Sequence, residues 1–223
     1  MKINADRSLR VQVDTASLPW TGSPAGGVER RMLERDGEEV ARATSLVRFA
    51  PGCAFPEHEH GAGEEFLVLD GVFSDEEGDF PAGFYVRNPP GSRHSPASQP
   101  GCTILVKLRQ MRADDRDVVR IDTGRAASVP LAEGVREIPL FTGPVERVRI
   151  PILAHGAHWR FGPAEGGVEM FLLAGAAVID GASCASGTWL RAPAGEAVLV
   201  VSEGGCRAFV KTGHLAPAGD AAA

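Results

Sequence analysis

Apolar residues come in short runs along almost the whole chain, and each run is bounded by turn-forming residues. Short runs rich in Val, Leu and Phe between Gly and Pro are typical of β-strands. No window shows the apolar spacing of an amphipathic helix. The pattern therefore predicts an all-β protein. In the first half we expect strands at Val28–Glu34, Thr44–Phe49, Glu65–Leu69, Val72–Ser74, Phe84–Arg87 and Thr103–Leu108.

A repeat relates the two halves of the chain at a shift of 104 residues, without a gap. Recurring glycines and prolines indicate shared turn geometry, because glycine permits backbone angles that other residues avoid and proline fixes the φ angle. Two copies of one β domain follow. The matched pairs include Gly52/Gly156, Gly63/Gly167, Gly71/Gly175, Gly83/Gly187, Pro89/Pro193 and Gly91/Gly195. The second copy predicts strands at Arg147–Leu153, Val168–Leu172, Ala176–Ile179, Thr188–Leu190, Ala197–Val201 and Ala208–Lys211.

The repeat also predicts the domain boundaries. We expect a first domain at residues 1–113 and a second at 131–215. Residues 114–130 are charged and then small, which suits a surface connector with a short strand at Val118–Ile121. Residues 216–223 are expected to form a flexible tail.

Charge and composition exclude several functional classes. The formal net charge of −6 provides no basic face for DNA or RNA, so direct nucleic-acid binding is not expected. No apolar stretch approaches the length of a membrane-spanning helix, and the first residues show no signal or transit pattern. We therefore expect a cytoplasmic protein without a membrane partner. The four cysteines lack C-x-x-C spacing and are expected to be unpaired: Cys53, Cys102, Cys184 and Cys206.

Four residues of the first copy have the chemistry and spacing of a metal site. His58 and His60 share one face if their segment is extended, since side chains alternate along a strand. Glu64 follows a glycine-rich turn, and a Pro-Pro-Gly turn precedes His94. Three imidazoles and one carboxylate can hold a single divalent ion. No catalytic side chain is identified by the sequence.

The second copy lacks all four of these residues. Gly162, Ala164, Val168 and Val198 stand at the shifted positions, and none of them can bind a cation. His155 and His158 are three residues apart and out of register with the first pair, so they are interpreted as non-ligands. The second domain is therefore expected to keep the fold without the metal site.

Strands next to the candidate ligands supply further candidate residues. Phe66, Phe73, Tyr85 and Arg87 are expected to line a pocket at the metal. A structural role is favoured for Arg87, because its repeat partner lies where no metal is expected. Glu65 is assigned to structure for the same reason. The acidic segment at residues 74–79 lacks calcium-loop spacing and is interpreted as a solvated turn.

These motifs resemble those of the cupin superfamily. Gly52, His58, His60, Glu64 and Gly71 fit the first cupin motif. The second motif is matched as well, by Gly83, Pro89, Gly91 and His94, although Ser98 stands where an asparagine is usual. Residues 20–110 are similar to the cupin domain of ChrR-type anti-sigma factors, and residues 130–215 more weakly so. The resemblance implies two tandem cupin barrels, each a double-stranded β-helix or jelly roll.

The resemblance also implies what the metal could do. In ChrR-type proteins the cupin metal would be zinc and its role sensory, linked to oxidative stress or sigma-factor regulation. The sigma-binding zinc domain of that family has no counterpart in this sequence. Related cupins with the same ligand set are Fe, Mn or Ni enzymes, so a dioxygenase is the alternative, with an isomerase or decarboxylase behind it. A small-molecule or oxidant ligand at the metal is expected, and a homodimer, since cupin edge strands commonly pair between subunits.

Overall fold

The computed structural model describes residues 1–23, 26–38 and 40–215, and within them the regular secondary structure is almost entirely β-strand. One turn of 3-10 helix, Thr15–Ser17, is the exception among these residues. The predicted all-β class is confirmed. None of the helical structure in the described part of the chain is long and apolar enough to span a membrane. The predicted tail at residues 216–223 lies outside the described residues.

The strands are numbered in chain order. Strands β1 to β11 are Lys2–Ile3, Val11–Asp14, Thr21–Gly22, Val28–Gly37, Ala41–Phe49, Cys53–Ala54, His58–Glu59, Glu64–Asp75, Gly78–Pro81, Phe84–Asn88 and Arg93–His94. Strands β12 to β22 are Ala97–Ser98, Cys102–Leu108, Val119–Asp122, Val129–Ala132, Val135–Thr142, Arg147–Leu153, His158–Phe161, Val168–Ile179, Ala182–Ala185, Thr188–Ala192 and Val198–Thr212.

The chain forms two compact units. The first contains residues 1–5 and 18–126, and its antiparallel sheet has the strand order β1-β4-β5-β13-β8-β10-β14. Strands β7 and β11 form a separate two-stranded sheet. Alternate residues of the long strands face inward and build an apolar core, as the period of a strand requires. That core contains Val28, Phe49, Phe66, Val68, Phe73, Phe80, Val86, Cys102, Ile104 and Val106.

Among the described residues, the second unit contains 6–17 and 127–215. Its sheet has the order β15-β16-β17-β22-β19-β21-β2, with β18 and β20 attached to β22 and β19. The central strands occupy the same places as their repeat partners in the first unit. Its core includes Phe161, Val168, Met170, Leu172, Leu190, Val198, Val200 and Val210.

Two strands, one in each sheet, make the boundaries of the units differ from the predicted 1–113 and 131–215. Val11–Asp14 pairs with β21 of the second unit, and Val119–Asp122 pairs with β10 of the first. Both strands have the pattern Val-x-x-Asp-Thr. Thr15 Oγ1 donates to the Gly187 carbonyl at 2.7 Å, and Thr123 Oγ1 donates to the Gly83 carbonyl at the same distance. Val11–Asp14, which precedes the first repeat, thus completes the second sheet, and Val119–Asp122, from the predicted connector, completes the first. Each covers an otherwise open edge.

Two repeat glycines lie inside long strands, where the sequence predicts a break. Gly71 is in β8 and Gly175 is in β19, each with positive φ, +73° and +80°. An added Cβ would lie 2.0 Å from the Gly101 carbonyl oxygen in one case and 2.0 Å from the Gly205 carbonyl oxygen in the other. Close approach of a neighbouring backbone, rather than a chain reversal, therefore requires glycine at both positions.

We predict that Gly71→Ala destabilises the protein more than Gly52→Ala does. Gly52 has nearly the same φ, +74°, but nothing lies within 4 Å of an added Cβ. The Gly52 variant should lose about 1 kcal/mol from backbone strain alone. The Gly71 variant adds a backbone clash, for a total of roughly 3 kcal/mol or more. Urea unfolding of both variants measures the difference, and equal losses would contradict this account.

Candidate metal centre

Three short backbone arrangements bring the candidate ligands together at one end of the first unit. His58 and His94 are directly opposite each other in the β7–β11 pair. The backbone N–H of His60 donates to the Ser92 carbonyl at 2.9 Å, which ties it to the segment before His94. Glu64 is the first residue of β8, after the glycine-rich turn. The β7–β11 pair and the turns before Glu64 and His94 therefore bring together residues that are distant in sequence.

The imidazole groups of His58, His60 and His94 form one cluster, with a ligand nitrogen from each within 4.8 Å of the others. Glu64 Oε2 lies 3.5 Å from His60 Nε2 and 3.5 Å from His94 Nε2. His60, Glu64 and His94 are buried, whereas His58 is exposed. Three of the four candidate ligands are therefore shielded from solvent, and His58 is not.

Two buried nitrogens of this cluster point to a bound cation. His60 Nε2 and His94 Nε2 are buried without a hydrogen-bond partner. Buried polar atoms are ordinarily paired, because leaving one unsatisfied costs about 1–3 kcal/mol. Neutral imidazole nitrogens that converge on one point beside a carboxylate are suited to a divalent metal. The donor set therefore fits the ion that the sequence predicts.

Neighbouring polar residues orient two of the candidate ligands. His94 Nδ1 donates to Asp75 Oδ2 at 3.2 Å, which leaves Nε2 toward Glu64. The Asn88 amide donates to Glu64 Oε2 at 3.3 Å and accepts from Arg120 at 2.7 Å. Such contacts fix the tautomer of a histidine and the orientation of a carboxylate that bind metal.

Burial and nearby charges shift the two buried histidines in opposite directions. Burial lowers the pKa of His60, and the nearby Glu64 carboxylate only partly opposes this. Burial also opposes charge on His94, but the hydrogen bond to Asp75 and the Glu64 carboxylate outweigh it and raise the pKa of His94.

The acidic segment at residues 74–79 does more than form the solvated turn that the sequence predicts. The Asp75 carboxylate is buried against His94. Glu76 accepts a hydrogen bond from the Ser95 backbone N–H at 3.0 Å, and the Ser95 contacts lower the pKa of Glu76 to about 2. This segment therefore holds both the His94 ring and the backbone that follows it. Sequence reasoning missed this role because the two segments meet only in the folded sheet.

A cavity of about 240 Å³ opens onto the candidate metal centre. Its wall is mainly apolar and includes side chains from β4, β5 and β13, along with His58, Glu64 and His94. Two arginines of β4, Arg30 and Arg35, also line it, and the sequence did not identify them.

The four residues predicted to line a pocket lie in different places. Phe73 is on the cavity wall, and Phe66 packs against it within the apolar core at a ring distance of 4.5 Å. Tyr85 and Arg87 face away from the cavity. Tyr85 Oη donates to Glu65 Oε2 at 2.7 Å, and Arg87 Nη1 donates to the same oxygen at 3.2 Å. These two residues alternate with those that face inward, so they belong to a buried polar network.

The second unit carries the same kind of buried network, and its described residues form no cluster of three candidate metal ligands. Trp189 Nε1 donates to Glu169 Oε1 at 2.9 Å, and both residues are repeat partners of Tyr85 and Glu65. Val168 and Val198, which replace Glu64 and His94, are fully buried in its apolar core. The interior that forms a polar centre in the first unit is thus filled with hydrocarbon in the second.

Comparison with known proteins agrees with this geometry. Residues 8–112 match the family model of the ChrR cupin-like domain. The matched segment is just under half of the chain. The first barrel is similar to the ChrR domain and carries the three-histidine cluster, as predicted. No curated protein is significantly similar in sequence to this chain.

Several solved structures are similar in fold to this chain over most of both chains. A candidate dioxygenase from Nostoc punctiforme is 15% identical, with a TM-score of 0.77, covering 95% of this chain and 85% of its own. The pirin YhhW from Escherichia coli, in complex with nickel(II), is 12% identical, with a TM-score of 0.66 and coverages of 92% and 98%. Oxalate decarboxylase from Lactobacillus farciminis is 10% identical, with a TM-score of 0.65 and coverages of 91% and 86%. These similarities establish the fold.

We predict that Asp75→Asn weakens metal binding by roughly 10- to 100-fold, because the His94 ring loses its charged partner. Competition between the protein and a chelator for Zn²⁺ measures the affinity. Asp79→Asn is the matched control, since Asp79 lies in the same acidic segment but pairs with the Ser74 hydroxyl at 2.6 Å. Equal affinities for the two variants would contradict a role for Asp75.

The lowered pKa of Glu76 predicts a loss of stability in acid. The folded state favours the ionised carboxylate, because its pKa of about 2 is below the usual 4.5. Its contribution should therefore be complete above about pH 4.5 and disappear as the pH falls toward 2.

Glu76→Gln should accordingly be less stable than the unmodified protein at pH 7, and the difference should shrink below pH 4.5. Denaturant unfolding of the metal-free proteins at several pH values measures this. Glu133→Gln, at an exposed position of the second unit, is the control and should show no such trend. A difference that does not depend on pH would refute the assignment.

Proposed function

We propose that this bicupin is a metal-dependent enzyme of the oxygenase type that acts on a small organic molecule. The observation that carries the proposal is the apolar cavity whose wall includes His58, Glu64 and His94. A structural zinc site is ordinarily closed by its protein ligands, whereas a catalytic site keeps a position open toward substrate. The cavity supplies that opening.

Four residues would hold the metal: His58, His60, Glu64 and His94. Three neutral imidazoles and one carboxylate reduce the charge of a divalent ion to +1 and leave two positions free in octahedral coordination. A bound iron or manganese ion would supply Lewis-acid and dioxygen chemistry. Asp75 and Asn88 orient two of the ligands, and mainly apolar side chains line the cavity beside them.

The comparisons support this proposal without deciding the metal. A candidate dioxygenase, a pirin in complex with nickel(II) and an oxalate decarboxylase with Mn(II) centres all share the fold. These activities and metals are those of the compared proteins. They favour a redox-active or Lewis-acid metal in this protein as well.

A second candidate function is a ChrR-like sensory or regulatory role linked to oxidative stress. The observation in its favour is the match of residues 8–112 to the ChrR cupin-like domain. In that case zinc would be tightly held and an oxidant would be the ligand. We propose a cytoplasmic homodimer under either function, which size-exclusion chromatography and cell fractionation test.

Metal analysis of the protein purified from its native host, paired with assays of oxygen uptake, separates the two functions. Iron or manganese together with oxygen consumption on a diketone or phenolic substrate supports the enzyme. Tightly bound zinc without turnover, with a structural response to peroxide or singlet oxygen, supports the sensor and contradicts the enzyme.

We predict that His58→Ala lowers metal affinity at least 10-fold, because it removes one of the four ligands. His58 is exposed, so the substitution should leave the fold intact. Elemental analysis and chelator competition measure the loss. His158→Ala removes an exposed histidine of the second unit and should retain full metal content. Full metal content in the His58 variant would overturn the site assignment.

A further inference from the structure

One face of strand β5 forms part of the wall of the cavity at the candidate metal centre. Five alternate residues of β5 line it, as expected of side chains that share one face of a strand. Their size increases along the strand, from two alanines through serine and valine to phenylalanine. The small residues at the start of β5 therefore leave room that larger side chains would fill. The five residues are Ala41, Ala43, Ser45, Val47 and Phe49.

The small residues of β5 lie across one strand from the candidate ligand Glu64. Leu108 of β13 is directly opposite Ala43 of β5 and directly opposite Glu64 of β8. All three of these residues line the cavity. Neighbouring strands lie about 4.8 Å apart, so β5 and β8 are separated by roughly 10 Å across β13. A small molecule in this space can therefore contact the metal centre at one end and β5 at the other.

The second unit has large side chains where β5 has small ones. Arg147 and Arg149 stand at the repeat positions of Ala43 and Ser45. Both arginines form ion pairs with the buried carboxylate of Glu137. A barrel of this kind thus forms with arginine at both positions, so its fold does not require small residues there. The alanine and serine of the first unit are instead explained by the cavity that they line.

The hydroxyl of Ser45 is the polar group of this small-residue wall. Ser45 is only 4% exposed, and its hydroxyl forms no hydrogen bond with another residue in the described part of the chain. The next hydroxyl along β5 faces the other way and is fully engaged, since Thr44 Oγ1 accepts from Lys107 at 2.9 Å and from Gln110 at 3.1 Å. Burying a hydroxyl without a partner is unfavourable. The Ser45 hydroxyl is therefore available to a molecule bound in the cavity.

We propose that Ser45 binds a polar group of the substrate through its hydroxyl, and that Ala41 and Ala43 leave the space for the apolar part of the same molecule. The substrate would be a small, mainly apolar compound with one polar group at the metal and a second at Ser45. A serine hydroxyl can donate to a carbonyl oxygen or accept from a hydroxyl. This assignment rests on the proposed function, because it names the substrate class of the same site.

The size of the cavity limits the substrate to about one ring. Its volume is about 240 Å³. An apolar cavity of about 150 Å³ is large enough for benzene. A single ring with short substituents therefore fits.

The test uses the Zn²⁺-loaded full chain and titration calorimetry with two pyridines substituted opposite the ring nitrogen. One carries a hydroxymethyl group and the other an ethyl group, so they differ only by a hydroxyl in place of a methyl, and the ring nitrogen of each can bind zinc. In Ser45→Ala, the affinity for hydroxymethylpyridine relative to ethylpyridine should fall at least threefold, because a hydrogen bond between neutral groups is lost. Zinc content should stay complete. An unchanged ratio, or no binding of either pyridine to the unmodified protein, would overturn the proposal.

Ser98→Ala is the matched control. Ser98 is also a buried serine of the first unit, but its hydroxyl donates to the Val72 carbonyl at 2.6 Å. The ratio of the two affinities should not change in this variant. An equal fall in both serine variants would show that the effect of Ser45→Ala is not a contact with the ligand.

Ala43→Leu tests the space beside Ser45. The larger side chain should fill the cavity and weaken the binding of both pyridines at least 10-fold, while zinc content stays complete. If this variant does not fold, Ala43→Val, which adds less volume, should still weaken binding several-fold. Unchanged affinities in the folded variant would contradict the assigned space.

Metal content separates this proposal from the proposed function. If the unmodified protein holds no metal, the proposed function fails, and titration of the metal-free chain still tests Ser45, because the ratio depends on the hydroxyl. If metal binds normally but the Ser45 and Ala43 variants bind both pyridines as the unmodified protein does, the metal centre stands and the contacts at β5 fail.

Discussion

The alternation of side chains along β8 is the constraint on which the rest of the first barrel depends. Glu64 and Glu65 are adjacent in the chain, yet one faces the histidine cluster and the other faces a buried arginine. A one-residue slip would exchange their environments and leave both carboxylates without their partners. The register of β8 on β13 and β10 therefore preserves the candidate metal centre and the structural ion pair together.

The second unit shows how the two faces of this strand can change independently. Glu169 keeps the structural position of Glu65 and binds Trp189. Val168, by contrast, takes the position of Glu64 and is buried in an apolar core. A buried valine needs no partner, whereas a buried carboxylate does, so loss of the ligand cluster was compatible with a stable barrel. Among the described residues, both units thus have the same strand order, but only the first has the cluster of candidate metal ligands.

The sequence predicted much of the fold because its signals are local. Short apolar runs bounded by glycine and proline identified most central strands, and the repeat identified two related barrels. The same reasoning placed His58, His60 and His94 together from motif spacing. It divided β8 and β19 at their glycines, because a glycine that allows close backbone approach looks the same in sequence as one that forms a turn.

Sequence by itself determined the strand class, the duplication and the chemistry of the candidate ligands, since these follow from residue types, from local spacing and from matching one half of the chain to the other. Tertiary structure alone decided that Asp75 would meet His94, and that Ala43 and Ser45 would line the same cavity as Glu64. It also decided that the N-terminal strand Val11–Asp14 would complete the second sheet. These outcomes depend on the register between strands distant in sequence, which local periodicity does not specify.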